Sequence, residues 1–281
     1  MLNLNHIKCQ EIVKKYKLLS HSSYSKSKGQ NFIFDDILLE KIVHFANIPD
    51  HSLCLEIGPG PGGLTKEILK KKPQELICID TDIMIINCIS DVFKGFNNIN
   101  IVHANALDIT LKDTFKGRKF HIISNLPYNI GCVLLTNWMR EINHIQDMTL
   151  MFQKEVAERI VATTGTKKYG RLTVLCQILC DIEYGFEVEK EYFTPQPKVD
   201  STVIKLKPKE NSDQLIPLIP VIEKLTHHLF QNRRKQIKNA FKALFPDDFE
   251  DILLSVNLSP TQRPEEIPAQ TFLDIARKLA E

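Results

Sequence analysis

The segment with the clearest chemical potential is Asn125-Leu126-Pro127-Tyr128, which follows an apolar run from Phe120 to Ile123. It places a carboxamide, a rigid proline and an aromatic ring at the carboxyl end of a predicted strand, before an apolar helical segment. In open α/β sheets, ligands bind in the crevice outside the carboxyl ends of the strands. An ordinary strand-to-helix turn uses the same residue types, so the segment alone does not separate a turn from a site.

A second candidate is the glycine-rich stretch from Glu56 to Gly63, between the first strand of the predicted sheet and its helix. Glycines there let a ligand approach the backbone, and the helix N-terminus can face that ligand. Gly58, Gly60 and Gly63 also fit the dinucleotide fingerprint, with Asp80 about twenty residues further on. A nicotinamide-dependent oxidoreductase is therefore one alternative, although Glu56 and the rigid Pro-Gly-Pro sequence fit a methyl-donor loop better.

Two further polar residues end neighbouring predicted strands. The Asp80 carboxylate can accept hydrogen bonds from both hydroxyls of a ribose, and Asp82 is the predicted cap of the next helix. Asn105 can accept from the exocyclic amine of an adenine, although a turn asparagine is an equally good interpretation in isolation. With the glycine-rich stretch, these residues predict a nucleotide-type ligand.

The elements that position these residues alternate between strand and helix. The predicted strands are 52–57, 75–80, 99–104, 120–124 and 148–152, and the predicted helices are 36–46, 63–69, 82–93, 131–139 and 154–162. This alternation predicts a parallel sheet covered on both faces. Two later runs, 182–188 and 201–206, alternate as antiparallel edge strands do. From about Pro208 the pattern changes to helices separated by prolines, which predicts a small helical domain.

Composition excludes several classes of protein. Of the 281 residues, 43% are hydrophobic and 25% are charged, as in ordinary globular chains. A formal net charge of +2 means that any nucleic-acid surface must come from local clusters of basic residues. Seven scattered cysteines, no apolar run of membrane-spanning length and no signal-peptide core predict a cytoplasmic protein without membrane contact. The basic, serine-rich residues 14–28 leave a transit peptide open.

Seven short motifs stand in order along the chain, each of them modest by itself. They are Gly29-Gln30-Asn31-Phe32, Glu56-Ile57-Gly58-Pro59-Gly60, Asn125-Leu126-Pro127-Tyr128, residues 153–159 (QKEVAER), Tyr169-Gly170-Arg171-Leu172, residues 193–201 (FTPQPKVDS) and Asn232-Arg233-Arg234-Lys235. As an ordered set they resemble those of the ribosomal small-subunit RNA adenine dimethyltransferases. These enzymes use S-adenosylmethionine to dimethylate N6 of two adjacent adenosines near the 3′ end of 16S-type rRNA. The resemblance runs from about Lys26 to the C-terminus.

The resemblance implies an α/β fold: a Rossmann-like class I S-adenosylmethionine-dependent methyltransferase sheet with a small C-terminal all-helical domain. The expected domains are a basic N-terminal leader (1–28), an S-adenosylmethionine-binding catalytic domain (29–208) and a helical RNA-binding domain (209–281). The expected substrate is 16S rRNA in the small ribosomal subunit or its precursor, modified in its 3′-terminal hairpin loop. The expected state is a monomer.

The resemblance also assigns residues to the target base and to the methyl donor. The Asn125 side chain and the Leu126 carbonyl would accept from the two N–H bonds of the adenine amine. Tyr128 and Phe193 would stack on the two faces of the extruded base, and Pro127 would stiffen the loop. The donor would contact Gln30, Asn31, Ile33, Glu56, Gly58, Gly60, Asp80, Asn105 and Asn125. No metal is expected, because the donor already carries positive charge and a good leaving group.

Basic residues recur at helical spacing between Arg233 and Leu244, opposite an apolar stripe. This pattern predicts a helix with one core face and one basic face. By itself it fits a solvated surface as well as a phosphate-binding one, and the resemblance favours RNA. The expected RNA-binding residues are Lys167, Lys168, Arg171, Arg233, Arg234, Lys235 and Lys238.

Two positions depart from the family pattern: Asp80 stands where Glu is usual, and Asn105 where Asp is usual. Both keep an acceptor oxygen, so donor binding is expected to persist, weakened by the lost charge at Asn105. Two other functions stay open: a 23S rRNA adenine N6-methyltransferase of macrolide-resistance type, and a non-catalytic ribosome-assembly or nucleic-acid-binding factor. The 198–201 and 232–235 segments favour the small-subunit enzyme.

Overall fold

The computed structural model describes residue 4, residues 9–16, residue 18 and residues 31–280. Gln30 and most of the predicted leader lie outside these residues. The strands are β1 (Phe32–Ile33), β2 (Leu53–Ile57), β3 (Glu75–Asp80), β4 (Ile99–His103), β5 (Phe120–Asn125), β6 (Ile145–Gln153), β7 (Cys180–Val188), β8 (Phe193–Thr194) and β9 (Ser201–Pro208).

The helices of the first half are α1 (Cys9–Lys15), α2 (Asp36–Ala46), α3 (Gly63–Lys70), α4 (Ile83–Val92), α5 (Leu111–Thr114) and α6 (Gly131–Met139). Those of the second half are α7 (Lys154–Ile160), α8 (Arg171–Leu179), α9 (Ile219–Gln231), α10 (Lys238–Leu244), α11 (Phe249–Ser255) and α12 (Ala269–Lys278). Within the described residues, every helix is too short or too polar to cross a membrane.

Seven strands form one sheet in the order β4-β3-β2-β5-β6-β9-β7. Strand β2 pairs in parallel with β3 on one side and with β5 on the other. The chain builds outward to β4 on the first side and then to β6 on the second. The gap between β2 and β5 is therefore the topological switch point, where open α/β sheets bind ligands. The predicted α/β fold with a central parallel sheet is confirmed.

Strand β9 reverses direction and pairs antiparallel with β6, so that Ser201 lies opposite Gln153. The first residue of β9 consequently lies at the edge where the parallel strands end. The prediction that both late runs are edge strands is wrong for 201–206, because β9 lies between β6 and β7. With a strand on each side, Val203 and Ile204 are fully buried.

A two-stranded ribbon was not predicted from the sequence. It pairs β1 with β8 in antiparallel register, Phe32 with Thr194 and Ile33 with Phe193. Strands of two residues are too short to show an alternating pattern. Ile33 and Phe193 both join the buried apolar cluster around α2.

Helix caps follow from local sequence. Asp35 accepts a hydrogen bond from the Leu38 backbone N–H at 2.8 Å and begins α2, which ends at Asn47 in the left-handed conformation. The Asp82 side chain accepts from Met84 N at 3.0 Å, so the predicted cap of α4 is confirmed.

The chain divides into two compact units. The first comprises residues 1–157 and 183–207, and the second comprises residues 158–182 and 208–281. The second unit begins its last stretch at Pro208, next to the expected domain boundary. Residues 158–182, expected in the catalytic domain, belong to the second unit because α8 packs against α9 and α12.

Candidate active site

A cleft opens in the first unit at the carboxyl ends of β2, β3 and β5. Its empty space, which includes the open mouth, is about 980 Å³. The predicted donor residues that the structure describes all line this cleft: Asn31, Ile33, Glu56, Gly58, Gly60, Asp80, Asn105 and Asn125. Leu126, Pro127 and Tyr128 line it as well. The structure thus brings the two predicted sets together, and their individual roles stay predictions.

Phe193 is the predicted catalytic residue that does not line the cleft. Its side chain is only 3% exposed and packs in the buried cluster with Ile33 and Leu39. Pairing of β8 with β1 places it there. Its stacking role stays a prediction, and stacking would require the ring to leave this packing.

The glycine-rich loop after β2 has a conformation that glycine favours. Gly60 has φ +54°, and a Cβ at this residue would lie 2.8 Å from the Phe32 ring. Gly58 has φ +68°, and its N–H donates to the Ile79 carbonyl of β3 at 2.9 Å. A Cβ at Gly58 would lie 3.6 Å from Pro127 Cγ. The donor loop and the predicted catalytic loop therefore face each other directly.

Glu56 is a buried acidic residue at the start of this loop, with 1% of its surface exposed. Its Oε2 accepts from Thr65 Oγ1 at 2.6 Å and from the Cys78 thiol at 3.6 Å. Burial disfavours the ionised carboxylate and raises the pKa of Glu56 to about 7. The cleft is therefore lined by a carboxyl group that gains or loses its proton near physiological pH.

Asp80 and Asn105 end neighbouring strands and bond to their own turns. Asp80 Oδ1 accepts from Asp82 N at 2.8 Å. Asn105 Oδ1 accepts from Leu107 N at 3.1 Å, and its Nδ2 donates to Asp108 Oδ2 at 3.1 Å. Asn105 is thus a turn residue and a cleft-lining residue at once. Because a carbonyl-type oxygen accepts two hydrogen bonds, the turn bond is compatible with a second bond to a ligand.

The orientation of the Asn125 carboxamide is set by a distant residue. Its Nδ2 donates to the Asn31 carbonyl at 3.1 Å. Since a carbonyl oxygen only accepts, the nitrogen must be the atom that faces Asn31, and among the described residues no donor bonds to Oδ1. The preceding residue, Ser124, donates to the Ile57 carbonyl at 2.6 Å and ties β5 to the start of the donor loop.

Tyr128 is half-buried, and its hydroxyl lies 2.6 Å from Ser201 Oγ. Burial raises the pKa of the Tyr128 phenol, so the phenol stays neutral. Ser201 stands in a motif quoted above but was given no role from the sequence. The two residues are 73 positions apart, and only the reversal of β9 brings them together.

The comparison with known families decides what kind of protein this is. The chain matches the family model described as ribosomal RNA adenine dimethylase over residues 21–281. It belongs to the ribosomal RNA adenine dimethylase family. This dimethylase is 41% identical over 246 residues to the ribosomal RNA small subunit methyltransferase A of Neorickettsia sennetsu, covering 87% of this chain and 93% of the relative. It is 37% identical over 257 residues to the protein of that name from Rhodospirillum rubrum, covering 90% and 86%.

Solved structures agree with this fold. A dimethyladenosine transferase from Plasmodium falciparum superposes on the dimethylase with a TM-score of 0.74 at 25% identity, over 89% of this chain and 97% of that one. The 23S rRNA methyltransferase ErmE gives a TM-score of 0.68 at 23% identity, which shows the fold alone. The predicted family, methyltransferase fold and enzyme class are confirmed, and the oxidoreductase alternative is excluded.

The second unit of the dimethylase carries the predicted RNA-binding residues. Six of them are exposed: Lys167, Lys168, Arg171, Arg234, Lys235 and Lys238. Arg233 is different, because its guanidinium donates to the carbonyls of Thr166, Lys167 and Tyr169 at 2.7 to 3.3 Å. Arg233 therefore joins the two predicted basic segments to each other, and its own contact with RNA stays a prediction.

The predicted basic helix is shorter than the sequence pattern indicates. Helix α10 begins at Lys238, and residues 232–237 form turns, so Arg234 and Lys235 do not share a helix face with Lys238. The reason is that Ile237 N donates to the Gln262 carbonyl at 2.9 Å, outside any helix.

Among the residues described, no group of three or more His, Cys, Asp or Glu side chains is placed to hold a metal ion. Metal-free transfer stays a prediction.

Proposed function

We propose that this dimethylase transfers methyl groups from S-adenosylmethionine to N6 of two adjacent adenosines in the 3′-terminal hairpin loop of 16S rRNA. The observation that carries the proposal is the Asn125 carboxamide at the switch point that also holds the donor loop: its Nδ2 is held by Asn31, and within the described part of the chain its Oδ1 accepts no hydrogen bond. The substrate would be the small ribosomal subunit or its precursor.

The cleft residues fit S-adenosylmethionine, which supplies a sulfonium-bound methyl group when it is bound. Asp80 would accept from the ribose hydroxyls, and Asn105 from the adenine amine of the donor. The glycines at 58 and 60 keep the loop free of side chains, so that backbone groups can approach the ligand. Asn31 and Ile33 also line the cleft.

The acceptor side would activate a weak nucleophile. The lone pair of an adenine N6 amine is delocalised into the ring, so the enzyme must favour the pyramidal amine and align it with the methyl group. Asn125 Oδ1 and the Leu126 carbonyl would accept from its two N–H bonds. The Tyr128 ring would stack on the extruded base, a contact that contributes roughly 1 to 3 kcal/mol.

RNA contact would be electrostatic and lie on the second unit. The exposed cations of the 163–171 segment and of the 232–238 segment would bind phosphates. The hydrogen bonds from Arg233 to the first segment support treating both as one surface.

The choice of the small subunit rests on the relatives. Those that are 36 to 41% identical carry the name small subunit methyltransferase A. The large-subunit alternative is supported only by a likeness that shows the fold. A purely non-catalytic RNA-binding role would leave the orientation of Asn125 without a purpose.

The test is radiolabelled methyl transfer from S-adenosylmethionine to unmethylated small subunits, to naked 16S rRNA and to large subunits. Primer extension would then locate the modified bases. We expect two adjacent dimethylated adenosines near the 3′ end of 16S rRNA. Label only in large-subunit RNA would contradict the proposed substrate, and no label in any RNA would contradict the proposed reaction.

A further inference from the structure

Ser201 lies close to the predicted catalytic loop, Asn125-Leu126-Pro127-Tyr128, although it belongs to a distant strand. It is the first residue of β9, which runs antiparallel to β6, so it lies at the same sheet edge as the end of β5. It is fully buried, and its Oγ lies 2.6 Å from the Tyr128 hydroxyl. A strand in the interior of the sheet thus contacts the tip of the ring that faces the cleft.

We infer that Ser201 is a positioning residue that fixes the direction of the Tyr128 ring for stacking on the target adenine. This inference rests on the function proposed above and adds a residue to it. Ser201 would not touch the base; it would act through the ring.

The Tyr128 side chain is held at both of its ends. One end is attached to the backbone beside Pro127, whose ring restricts the loop. The other end is the hydroxyl, which is held by a buried serine on a strand with neighbours on both sides. With both ends fixed, the ring axis has one direction before the base arrives. A preorganised ring loses less conformational entropy when the base stacks on it.

The segment that leads into β9 is itself anchored. The Asp200 carboxylate accepts from Lys190 N at 3.0 Å, and the Asp200 carbonyl accepts from Lys154 N at 2.9 Å. These bonds hold the residue before Ser201 against the end of β6 and the turn before β8. Ser201 is therefore a fixed reference point, and Tyr128 is the half-buried partner that is held by it.

Two variants remove the same hydrogen bond from opposite ends. Ser201→Ala deletes the serine hydroxyl, and Tyr128→Phe deletes the phenol hydroxyl but keeps the ring. We expect each to lower kcat/KM for RNA by roughly three- to tenfold, the range for one neutral hydrogen bond. The double variant should be no worse than either single variant, because the bond is already lost. The dissociation constant of S-adenosylhomocysteine, measured by calorimetry, should stay unchanged.

Thr202→Val is the matched control. Thr202 is the next residue of β9, is fully buried, and its Oγ1 has no hydrogen-bond partner within the described part of the chain. Loss of that hydroxyl should leave kcat/KM at the wild-type value.

Three outcomes overturn the inference. Full activity of Tyr128→Phe, which keeps the ring and its packing, would show that the hydroxyl does not position it. Multiplicative losses in the double variant would show that the two hydroxyls act independently. A loss in Thr202→Val equal to that in Ser201→Ala would assign the effect to general weakening of β9. A wild-type protein that methylates no RNA would instead contradict the proposed function.

Discussion

Two donor-side residues of the cleft, Asp80 and Asn105, form side-chain hydrogen bonds within single turns, whereas the acceptor side is held by hydrogen bonds between distant parts of the chain. On the donor side, Asp80 bonds to Asp82 two positions on, and Asn105 bonds to Leu107 and Asp108 within its own turn. These side-chain bonds need only the turn that follows each strand, whereas the donor loop is tied to β3 by the bond from Gly58 N–H to the Ile79 carbonyl.

On the acceptor side, Asn125 is held by Asn31, 94 positions away, and Tyr128 by Ser201, 73 positions away. Ser124 bonds to the Ile57 carbonyl, 67 positions away. The predicted catalytic loop is thus held in this orientation by residues that the folded sheet and the segment around β1 bring next to it. Donor binding and base positioning can therefore be disturbed separately.

The largest effect is expected from Asn125→Ala. Removing the amide oxygen that would accept from the target amine should lower kcat by roughly 100-fold or more, as loss of a preorganised polar group at a reacting centre does. RNA binding, measured by filter retention, should stay nearly unchanged. Asn129→Ala is the control, since Asn129 is an exposed asparagine in the same loop. Full activity of Asn125→Ala would contradict the polarising role.

Asp80→Ala should weaken the donor side alone. Loss of charge-assisted hydrogen bonds to the ribose should raise the dissociation constant of S-adenosylmethionine by roughly 10- to 100-fold, while kcat at saturating donor changes little. Asp82→Ala is the control, because it keeps the backbone N–H that bonds to Asp80 and removes the cap of α4, worth about 1 kcal/mol of stability. Equal loss of donor affinity in both variants would mean that the turn matters and the carboxylate does not.

The same contrast explains what the sequence predicted. Residues of the donor side have a local sequence signature. A glycine-rich stretch and polar residues at strand ends can each be recognised from a few consecutive positions. The central strands were predictable because short, mostly apolar segments alternate with helical segments along the chain. The ribbon of β1 and β8, the interior place of β9 and the contact of Ser201 with Tyr128 were not. They depend on pairings between distant segments, and no local period encodes those.

The burial of Phe193 and the start of α10 were missed for related reasons. Phe193 stands in a two-residue strand whose partner is β1, so its exposure depends on a segment about 160 positions away. The basic pattern from Arg233 onward has helical spacing, but the N–H groups of Ile237 and Lys238 donate to the carbonyls of Gln262 and Pro260 instead. In both cases a tertiary contact overrides the local pattern.

The raised pKa of Glu56 predicts that the affinity for S-adenosylmethionine depends on pH. Its pKa is raised by burial to about 7, so the carboxyl is neutral below that pH. A positively charged donor favours the ionised form, so binding would expel the proton. The affinity for S-adenosylmethionine should therefore rise with pH, by at most about tenfold per unit, and level off above pH 7. Calorimetry from pH 6 to 8 measures this, and Glu56→Gln should remove the dependence.

Stability provides an independent check on Glu56. The pKa of Glu56 is raised in the folded protein, so its neutral carboxyl contributes to the free energy of unfolding. This contribution is fully present at a pH below the ordinary pKa of glutamate and is lost as the pH rises through about 7. Glu56→Gln should therefore gain thermal stability relative to the wild type between pH 5 and 8. A constant difference in melting temperature over that range would show that Glu56 does not titrate there.

The smallest effect is expected from a substitution at Asn105, on the donor side of the cleft. Restoring a charge with Asn105→Asp should add little donor affinity by itself, because Asp108 Oδ2 lies 3.1 Å from the atom that would become a second carboxylate oxygen. Like charges at this distance disfavour each other's ionised forms. With Asp108→Asn in the same chain, the new carboxylate would receive a hydrogen bond from the amide. The affinity for S-adenosylmethionine should then rise by roughly two- to fivefold, a fraction of one charge-assisted bond. Asp108→Asn alone should bind as the wild type does. If Asn105→Asp alone gave the full gain, the two residues would be independent, and the donor side would be a set of separate contacts instead of coupled turns.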